Sequence, residues 1–395
     1  MNVRRARLGA LFVLAGIILA ACGGKNAAPP PRAAAVDRGV DAAVQLCDSG
    51  EGNPLSQTQV CFQRRLLVLV EPTADTATEL PLIDAAVKRA GGYLLESCHI
   101  IMHWVGRNYA LDHHVTLASL QTYLPRTNDP GCSAGFAHGL VSALGPAIRK
   151  LDPASVARAC AGSQTRYQAY SCVHGLGHAY MRAYNEELPI ALRMCSRLPH
   201  VDVVDCAQGA YHDYWFSLSG VDGTVQLGPS LRPRALCGRQ PAMFVRACWY
   251  RAFMESPPNQ ALNTPSDLVA VCAGLRGLQR EGCITGAAVT FNTGFPERQL
   301  DGCTQLAPDI RVACARGTAT QDLMGSPVSA QVRLVQQCTR FGAERVGCIE
   351  WIAKALNVDT NGAFLHAGCP TMPAVDRAAC RTGAASWLGP LETFG

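Results

Sequence analysis

Apolar residues recur along this chain three and four positions apart, in short runs broken by proline and polar residues. Residues 188–195 show one such run, Pro199 and its polar neighbours interrupt it, and a second helical pattern follows. Asp205 or a neighbour is a suitable N-cap for the second helix. The pattern therefore predicts a hairpin of two short helices, here called helix A and helix B.

The same hairpin pattern recurs about every 35 residues, and each copy carries two cysteines ten to twelve positions apart. Zinc-binding cysteines usually lie two to four residues apart, so this spacing favours a disulfide from the end of helix A to the start of helix B. The seven predicted pairs are Cys160 with Cys172, Cys195 with Cys206, Cys237 with Cys248, Cys272 with Cys283, Cys303 with Cys314, Cys338 with Cys348, and Cys369 with Cys380.

A hairpin of two short helices cannot bury its own apolar face, so neighbouring units must stack. The sequence thus predicts an all-α fold, with disulfide-stapled helical hairpins stacked as a solenoid. In period and helix pairing it resembles tetratricopeptide repeats, without the residue signature of that family. Three positions after the second cysteine a glycine recurs, and this predicts close approach of another backbone. These glycines are Gly175, Gly209, Gly286, Gly317 and Gly383, with Gly135 placed likewise after Cys132, while Arg251 and Trp351 break the rule.

The N-terminal part of the chain differs from the repeats. Residues 40–151 predict a less regular helical region before the repeats of 152–395. Its cysteines, Cys47, Cys61, Cys98 and Cys132, form two bridges by elimination. Three connectivities are possible. Pairing Cys47 with Cys61 and Cys98 with Cys132 is preferred.

Residues 1–21 have the composition of an export signal: three arginines, then an apolar run too short for a stable membrane span. The run ends Leu19-Ala20-Ala21-Cys22, which resembles the lipobox of bacterial lipoproteins. The resemblance implies cleavage before Cys22, a diacylglyceryl thioether on its sulfur and N-acylation, for instance with palmitate. Because Gly23 is not the aspartate that marks inner-membrane retention, it implies the outer membrane, facing the periplasm or the cell surface. A plain secretory signal is the alternative.

Composition supports an exported globular protein. Without Cys22, eighteen of the nineteen cysteines remain, an even number that suits nine disulfides in an oxidising compartment. Without the signal arginines, 32 basic residues stand against 30 acidic ones, which gives no sign of nucleic acid binding. The proline-rich stretch within residues 22–39 predicts a flexible tether behind the lipidated cysteine.

Histidines are concentrated in one part of the chain: nine of the ten lie between residues 99 and 212. His99 with His103, and His174 with His178, form two HxxxH pairs, whose rings are neighbours on one helix face. Neutral imidazole suits Zn, Cu, Fe or Ni. His138, His178 and His212 each stand six places after a cysteine, so they share one register. The candidate metal ligands are therefore His99, His103, His174 and His178, followed by His138 and His212.

Other residues carry weaker signals. Asp213 is either a carboxylate ligand or a group that orients an imidazole. Tyr180, Tyr184 and Tyr214 share the face, whereas His113, His114 and His200 are expected in loops. Gly131 to Gly135 matches G-x-S-x-G, but that motif requires a strand before the serine, and here a turn precedes it.

Two functions remain open from the sequence. One is a lipid-anchored helical repeat protein with a histidine-lined site in its N-terminal half for a transition metal (Zn, Cu or Fe), purely for binding or catalytic. The alternative is a metal-free solenoid that binds an envelope protein or peptide on its concave face. Packed helices usually stand about 8–10 Å apart, so equivalent histidines on adjacent repeats need not meet. If the imidazoles are spread along a groove, the metal-free scaffold is favoured.

Overall fold

The computed structural model describes residues 31–48, 55–70, 75–126, 131–163, 165–219, 233–255, 262–289, 296–322, 328–360 and 362–386. Within these ranges the regular elements are helices only, which confirms the all-α prediction. The B helices are the longer members of the hairpins. They are α4 (Gly92–Asp112), α6 (Cys132–Ser142), α9 (Arg166–Ala183), α11 (His200–Ser219), α13 (Ala242–Glu255), α15 (Gly277–Val289), α17 (Pro308–Asp322), α19 (Arg345–Asp359) and α21 (Ala374–Ala385).

Shorter A helices precede the B helices from α9 onwards: α8 (Pro153–Arg158), α10 (Leu188–Cys195), α12 (Pro233–Cys237), α14 (Pro265–Val271), α16 (Pro296–Thr304), α18 (Val328–Gln337) and α20 (Ala363–Ala367). Two 3-10 segments, Cys338–Glu344 and Cys369–Thr371, follow α18 and α20. The N-terminal region adds α1 (Pro31–Cys47), α2 (Leu55–Val70), α3 (Thr76–Ala90), α5 (Leu120–Tyr123) and α7 (Gly145–Ile148). Several A helices begin with proline, whose fixed backbone angle suits the first turn.

Each B helix packs against the next one in the chain, from α4 through to α21. Their apolar faces form one continuous core. Helix α9 also contacts α19, five B helices further along, so the row curves back on itself. The predicted stack of hairpins is therefore present, with strong curvature.

Disulfides staple each hairpin between the predicted cysteines, but the second cysteine generally lies in the second turn of the B helix and not at its start, as for Cys206 in α11. The bridged residues have Cα atoms 5.4 to 5.8 Å apart in these seven pairs. Closing a loop of about twelve residues stabilises the folded state by roughly 3 kcal/mol in the chain-entropy model. All seven predicted pairs are confirmed: Cys160 with Cys172, Cys195 with Cys206, Cys237 with Cys248, Cys272 with Cys283, Cys303 with Cys314, Cys338 with Cys348, and Cys369 with Cys380.

Two further disulfides join the helices of the N-terminal region. Cys47 at the end of α1 pairs with Cys61 of α2, and Cys98 of α4 pairs with Cys132 at the start of α6. Of the three connectivities that the sequence left open, the preferred one is therefore present. Among the described residues this makes nine bridges, the number expected from the cysteine count.

The recurring glycines lie where neighbouring B helices touch backbone to backbone. A Cβ atom on Gly209 would stand 1.9 Å from the carbonyl oxygen of His174, and one on Gly135 would stand 2.0 Å from that of His99. Gly175 differs, because its Cβ would meet the side chain of Val141 at 2.8 Å. In α9 the backbone contact is instead made by Gly177. A Cβ atom on Gly177 would stand 2.1 Å from the Cys206 carbonyl oxygen.

Residues 31–39 were assigned to the tether but are helical in the structure, because α1 begins at Pro31. Val36 and Val40 are buried in the core, and Arg32 pairs with Glu79 of α3. These contacts stabilise a helix that the proline-rich composition does not suggest. The export signal and Cys22 lie outside the described residues. Among the helices that the structure describes, none has the length and hydropathy to cross a bilayer.

Candidate metal centre

The first pair of imidazoles stands on α4, one turn apart. His99 and His103 approach each other with their Nε2 atoms 3.1 Å apart. Both side chains are partly exposed, whereas the other four candidate ligands are buried. The cluster therefore opens to solvent on the α4 side.

The remaining four imidazoles come from the next three B helices. His138 lies on α6, His174 and His178 on α9, and His212 on α11. The glycine contacts join the very positions that carry histidine: Gly135 packs on the backbone of His99, and Gly209 on that of His174. This close crossing lets imidazoles on adjacent helices meet, although helix axes are usually about 8–10 Å apart.

Curvature of the stack then brings the outermost of the four helices together. The ring centroids of His99 on α4 and His212 on α11 are 5.9 Å apart, although two B helices separate them in the chain. All six candidate histidines thus meet in one cluster, here called the histidine cluster. It consists of His99, His103, His138, His174, His178 and His212.

Within the histidine cluster, nitrogens from different helices approach within contact distance. His138 Nδ1 lies 3.2 Å from His103 Nε2, and His174 Nε2 lies 3.4 Å from His212 Nδ1. Three sets of three residues have possible ligand atoms within 4.8 Å of one another. These triads are His99 with His103 and His138, His103 with His178 and His212, and His138 with His174 and His178.

Two polar side chains fix which way individual rings face. Ser171 Oγ lies 3.0 Å from His138 Nε2, so Nδ1 is the nitrogen that faces the cluster. Asp213 Oδ1 lies 3.2 Å from His178 Nδ1, which leaves Nε2 to face inward. Asp213 thus orients an imidazole instead of entering the cluster itself. Such outer partners set the tautomer and raise the basicity of a metal-binding histidine.

Burial favours the neutral form of four of the six imidazoles. Loss of hydration, followed by repulsion from neighbouring rings or Arg251, holds the pKa of four imidazoles well below 6.5; these are His103, His138, His174 and His212. Burial acts to raise the pKa of Asp213, but the hydrogen bond and charge of His178 outweigh it and lower that pKa. Neutral imidazoles are the form that binds metal ions.

Arg251 on α13 is a component that the sequence analysis identified only as an exception to the glycine rule. Its side chain is buried, contacts Gln208 Oε1 at 3.4 Å, and adds positive charge beside His138, His174 and His212. The sequence did contain a signal for Arg251, because a cation stands there at the position where the neighbouring repeats carry glycine. No sequence signal pointed to Ser171, because its role depends on which nitrogen of His138 its hydroxyl contacts.

Four other residues with weaker sequence signals lie outside the histidine cluster. His113 ends α4 and stacks on Tyr109 with ring centroids 3.9 Å apart, and the Tyr184 hydroxyl donates to the Arg149 carbonyl oxygen. His200 begins α11 instead of lying in a loop, since that helix extends one turn beyond the predicted cap. Ser133 of the G-x-S-x-G match is buried at the start of α6 and hydrogen-bonds to Asp84.

Comparisons of the chain with protein-family models, with curated proteins and with solved structures give no match. Fold and site by themselves define the class: a disulfide-stapled helical repeat protein with a buried histidine cluster able to hold a metal ion.

Proposed function

We propose that this protein is a transition-metal-binding lipoprotein of the cell envelope, with the histidine cluster as its metal site. The observation that carries the proposal is the convergence of six imidazoles from four helices on one buried point. Imidazole nitrogens suit first-row transition metals such as Zn, Cu and Fe, whereas Mg and Ca prefer oxygen ligands.

The alternative explanation for buried histidines is a structural network hydrogen-bonded within the core. That explanation accounts for the chain of contacts from Ser171 through His138 to His103. It does not account for His178 Nε2, which is buried and has no hydrogen-bond partner among the described residues. Burial of an unpaired polar atom costs on the order of 1–3 kcal/mol. A metal ion would satisfy His178 Nε2, which faces the cluster.

The surroundings of the cluster support metal binding in two further ways. Asp213 on His178 is the carboxylate–histidine arrangement that commonly supports a metal ligand. The partly exposed His99 and His103 provide an entry route for an ion from solvent. The disulfides also favour an oxidising compartment, as expected for the envelope. Anchoring through Cys22 would hold the centre at the membrane surface.

Metal analysis of the full chain, purified with its disulfides oxidised, tests the metal site. The protein is incubated with Zn²⁺, Cu²⁺ or Fe²⁺, freed of excess ion and analysed by elemental mass spectrometry. We expect near-stoichiometric metal that a double variant, His174→Ala with His178→Ala, loses. The matched control is His366→Ala, because His366 is exposed on α20, far along the chain from the cluster. A folded wild-type chain that retains none of the three ions would overturn the proposal.

Lipid anchoring is tested separately, by mass spectrometry of the mature N-terminus and by membrane fractionation of wild type and Cys22→Ser. Acylation of Cys22, and release of the variant from the membrane fraction, are the expected results. An unmodified N-terminus would leave a secreted protein and contradict the anchoring part of the proposal alone.

A further inference from the structure

We infer that the histidine cluster holds a single metal ion, coordinated by all six imidazoles in an octahedral arrangement. The inference rests on the proposed function and goes beyond it, since it specifies how many ions bind, the coordination number and the class of ion preferred. A site of this kind has no open coordination position for a substrate.

Each of the six rings directs one nitrogen to the interior of the cluster. The contacts among His99, His103 and His138 involve Nε2 of the first two and Nδ1 of the third. The contact between His174 and His212 joins Nε2 of His174 to Nδ1 of His212. His178 presents Nε2 to the interior, because Asp213 lies against its Nδ1. The cluster therefore offers six inward nitrogens, one from each residue.

The rings are arranged nearly as the corners of an octahedron. An octahedron has twelve edges, and eleven pairs of rings have centroids 4.5 to 5.9 Å apart. The twelfth edge, between His99 and His174, is not among the eleven contacts. In this arrangement three pairs occupy opposite corners: His99 with His178, His103 with His174, and His138 with His212.

The nitrogen separations agree with this geometry. With metal–nitrogen bonds of about 2.1 Å, adjacent ligands of an octahedral ion stand about 3.0 Å apart. In the structure, three separations between inward nitrogens are 3.1, 3.2 and 3.4 Å. A small contraction of the cluster would thus bring these nitrogens to bonding distance from a shared metal ion.

The alternative of two ions, each held by three imidazoles, requires the two sets to stand apart. With ions about 3.5–4 Å from each other, rings of one set would lie roughly 6 Å or more from rings of the other. The natural division places His99, His103 and His138 on one ion and His174, His178 and His212 on the other. Across that division, however, His138 and His174 are 4.5 Å apart and His103 and His178 are 4.9 Å apart. These are among the shortest centroid distances in the cluster.

Charge also favours one ion. Asp213 contacts a ring of the cluster, while the buried Arg251 adds positive charge beside three of them. Two divalent ions would place four positive charges among neutral ligands in a largely buried space, where their repulsion would be screened less than in water. One divalent ion, partly balanced by Asp213, avoids that repulsion.

A six-nitrogen site discriminates between metals. Zn²⁺ is almost always four-coordinate and tetrahedral in structural protein sites. An octahedral set therefore favours Fe²⁺, Co²⁺ or Ni²⁺, and the affinity order for nitrogen ligands places Ni²⁺ highest of these three. We expect Ni²⁺ to displace Zn²⁺ from the protein.

Titration of the full, oxidised chain with Co²⁺ tests the inference, because the visible spectrum of Co²⁺ reports its coordination. We expect saturation at one Co²⁺ per chain, the weak absorption of an octahedral ion, and six nitrogen neighbours by X-ray absorption. Saturation at two Co²⁺, or the intense absorption of tetrahedral Co²⁺, would overturn the inference and leave the proposed function standing. A folded chain that binds no metal in this titration or in the metal analysis would overturn both.

Two variants, one from each set of three imidazoles in the two-ion alternative, sharpen the test. His99→Ala and His174→Ala should each weaken Co²⁺ binding at least tenfold and leave a single transition with five or fewer nitrogen neighbours. If two ions bind, each variant would instead lose one ion and keep the other with unchanged affinity. His366→Ala should match wild type, and far-ultraviolet circular dichroism verifies that each variant is folded.

Discussion

The two halves of the B-helix row share one scaffold and differ in what holds successive helices in register. In both halves a disulfide joins each A helix to its B helix, and glycines such as Gly209 and Gly317 bring neighbouring backbones into contact. In the N-terminal half, imidazoles fill the space between α4, α6, α9 and α11. In the C-terminal half, ion pairs join neighbouring B helices.

The ion pairs of the C-terminal half form a short ladder. Glu281 on α15 pairs with Arg246 on α13 at 3.0 Å and with Arg316 on α17. Further along, Arg345 on α19 pairs with Asp376 on α21 at 2.7 Å. Six places after the repeat cysteine, where the N-terminal half has His138, His178 and His212, this half has residues such as Val289, Lys354 and Ser386.

The comparison separates the scaffold from the site. Cysteine and glycine positions build the stack in both halves, while the residues facing between the B helices are free to differ. The histidine cluster is therefore an addition to a repeat that folds without histidines. Three predictions test this separation.

The largest expected effect is the response of the metal-free protein to acid. Unfolded histidine titrates near 6.5, whereas four imidazoles of the folded cluster have a pKa well below that value. Below about pH 6.5 the unfolded state therefore binds more protons, and the free energy of unfolding decreases as the pH falls. Each of the four contributes up to about 1.4 kcal/mol per pH unit.

Hydrogen exchange of the metal-free chain at pH 7.5 and 5.5, corrected for intrinsic rates, locates this loss. Repeat proteins can open locally, so we expect protection to fall in α6, α9 and α11 and to remain in α15 and α17. Equal losses in both halves would show that the histidine cluster is not the origin of the effect.

A medium effect is expected when alanine replaces glycine at the helix contacts. The Cβ introduced by Gly209→Ala would lie 1.9 Å from the His174 carbonyl oxygen, and the one introduced by Gly317→Ala would lie 2.1 Å from the Thr285 carbonyl oxygen. Both distances are too short for a normal contact. Overpacking of this kind lowers the free energy of unfolding by roughly 1–3 kcal/mol. Both variants should lose stability in urea denaturation, but only Gly209→Ala should also lose metal, because it displaces His174.

Gly347→Ala is the matched control for this pair. Gly347 lies in α19, and a Cβ atom placed on it would be 3.6 Å from the nearest atom, a methyl carbon of Val312. Since alanine is the better helix former, stability should be unchanged or rise by up to about 1 kcal/mol. Equal metal loss in Gly209→Ala and Gly317→Ala would contradict the independence of site and scaffold.

The smallest effect is expected for Glu281→Gln, which removes the charge between Arg246 and Arg316. The three side chains are 22 to 25% exposed, so the pairs are partly screened and the free energy of unfolding should fall by only about 1 kcal/mol. Metal content should equal that of wild type. A loss of metal in this variant would mean that the C-terminal half helps to shape the cluster.

Much of the scaffold was predictable because its signals are local. A disulfide between cysteines eleven residues apart, as in Cys272 with Cys283, and a glycine one turn further on constrain a single hairpin and its contact with the next. The start of α1 was less predictable, since its contacts with α3 involve residues more than forty positions away. Gly177 was missed as the contact in α9 because the glycine three places after the cysteine in other repeats pointed to Gly175.

For the candidate site, the sequence by itself determined which residues share a helix face and a register: the two HxxxH pairs and the histidines six places after a cysteine. Only the tertiary structure decided that these faces meet. The curvature of a solenoid is the sum of small rotations between successive repeats, and each rotation depends on packing along a whole helix contact. His99 and His212 are 113 residues apart in the chain, yet their rings lie within 5.9 Å because three such rotations bring α4 and α11 together.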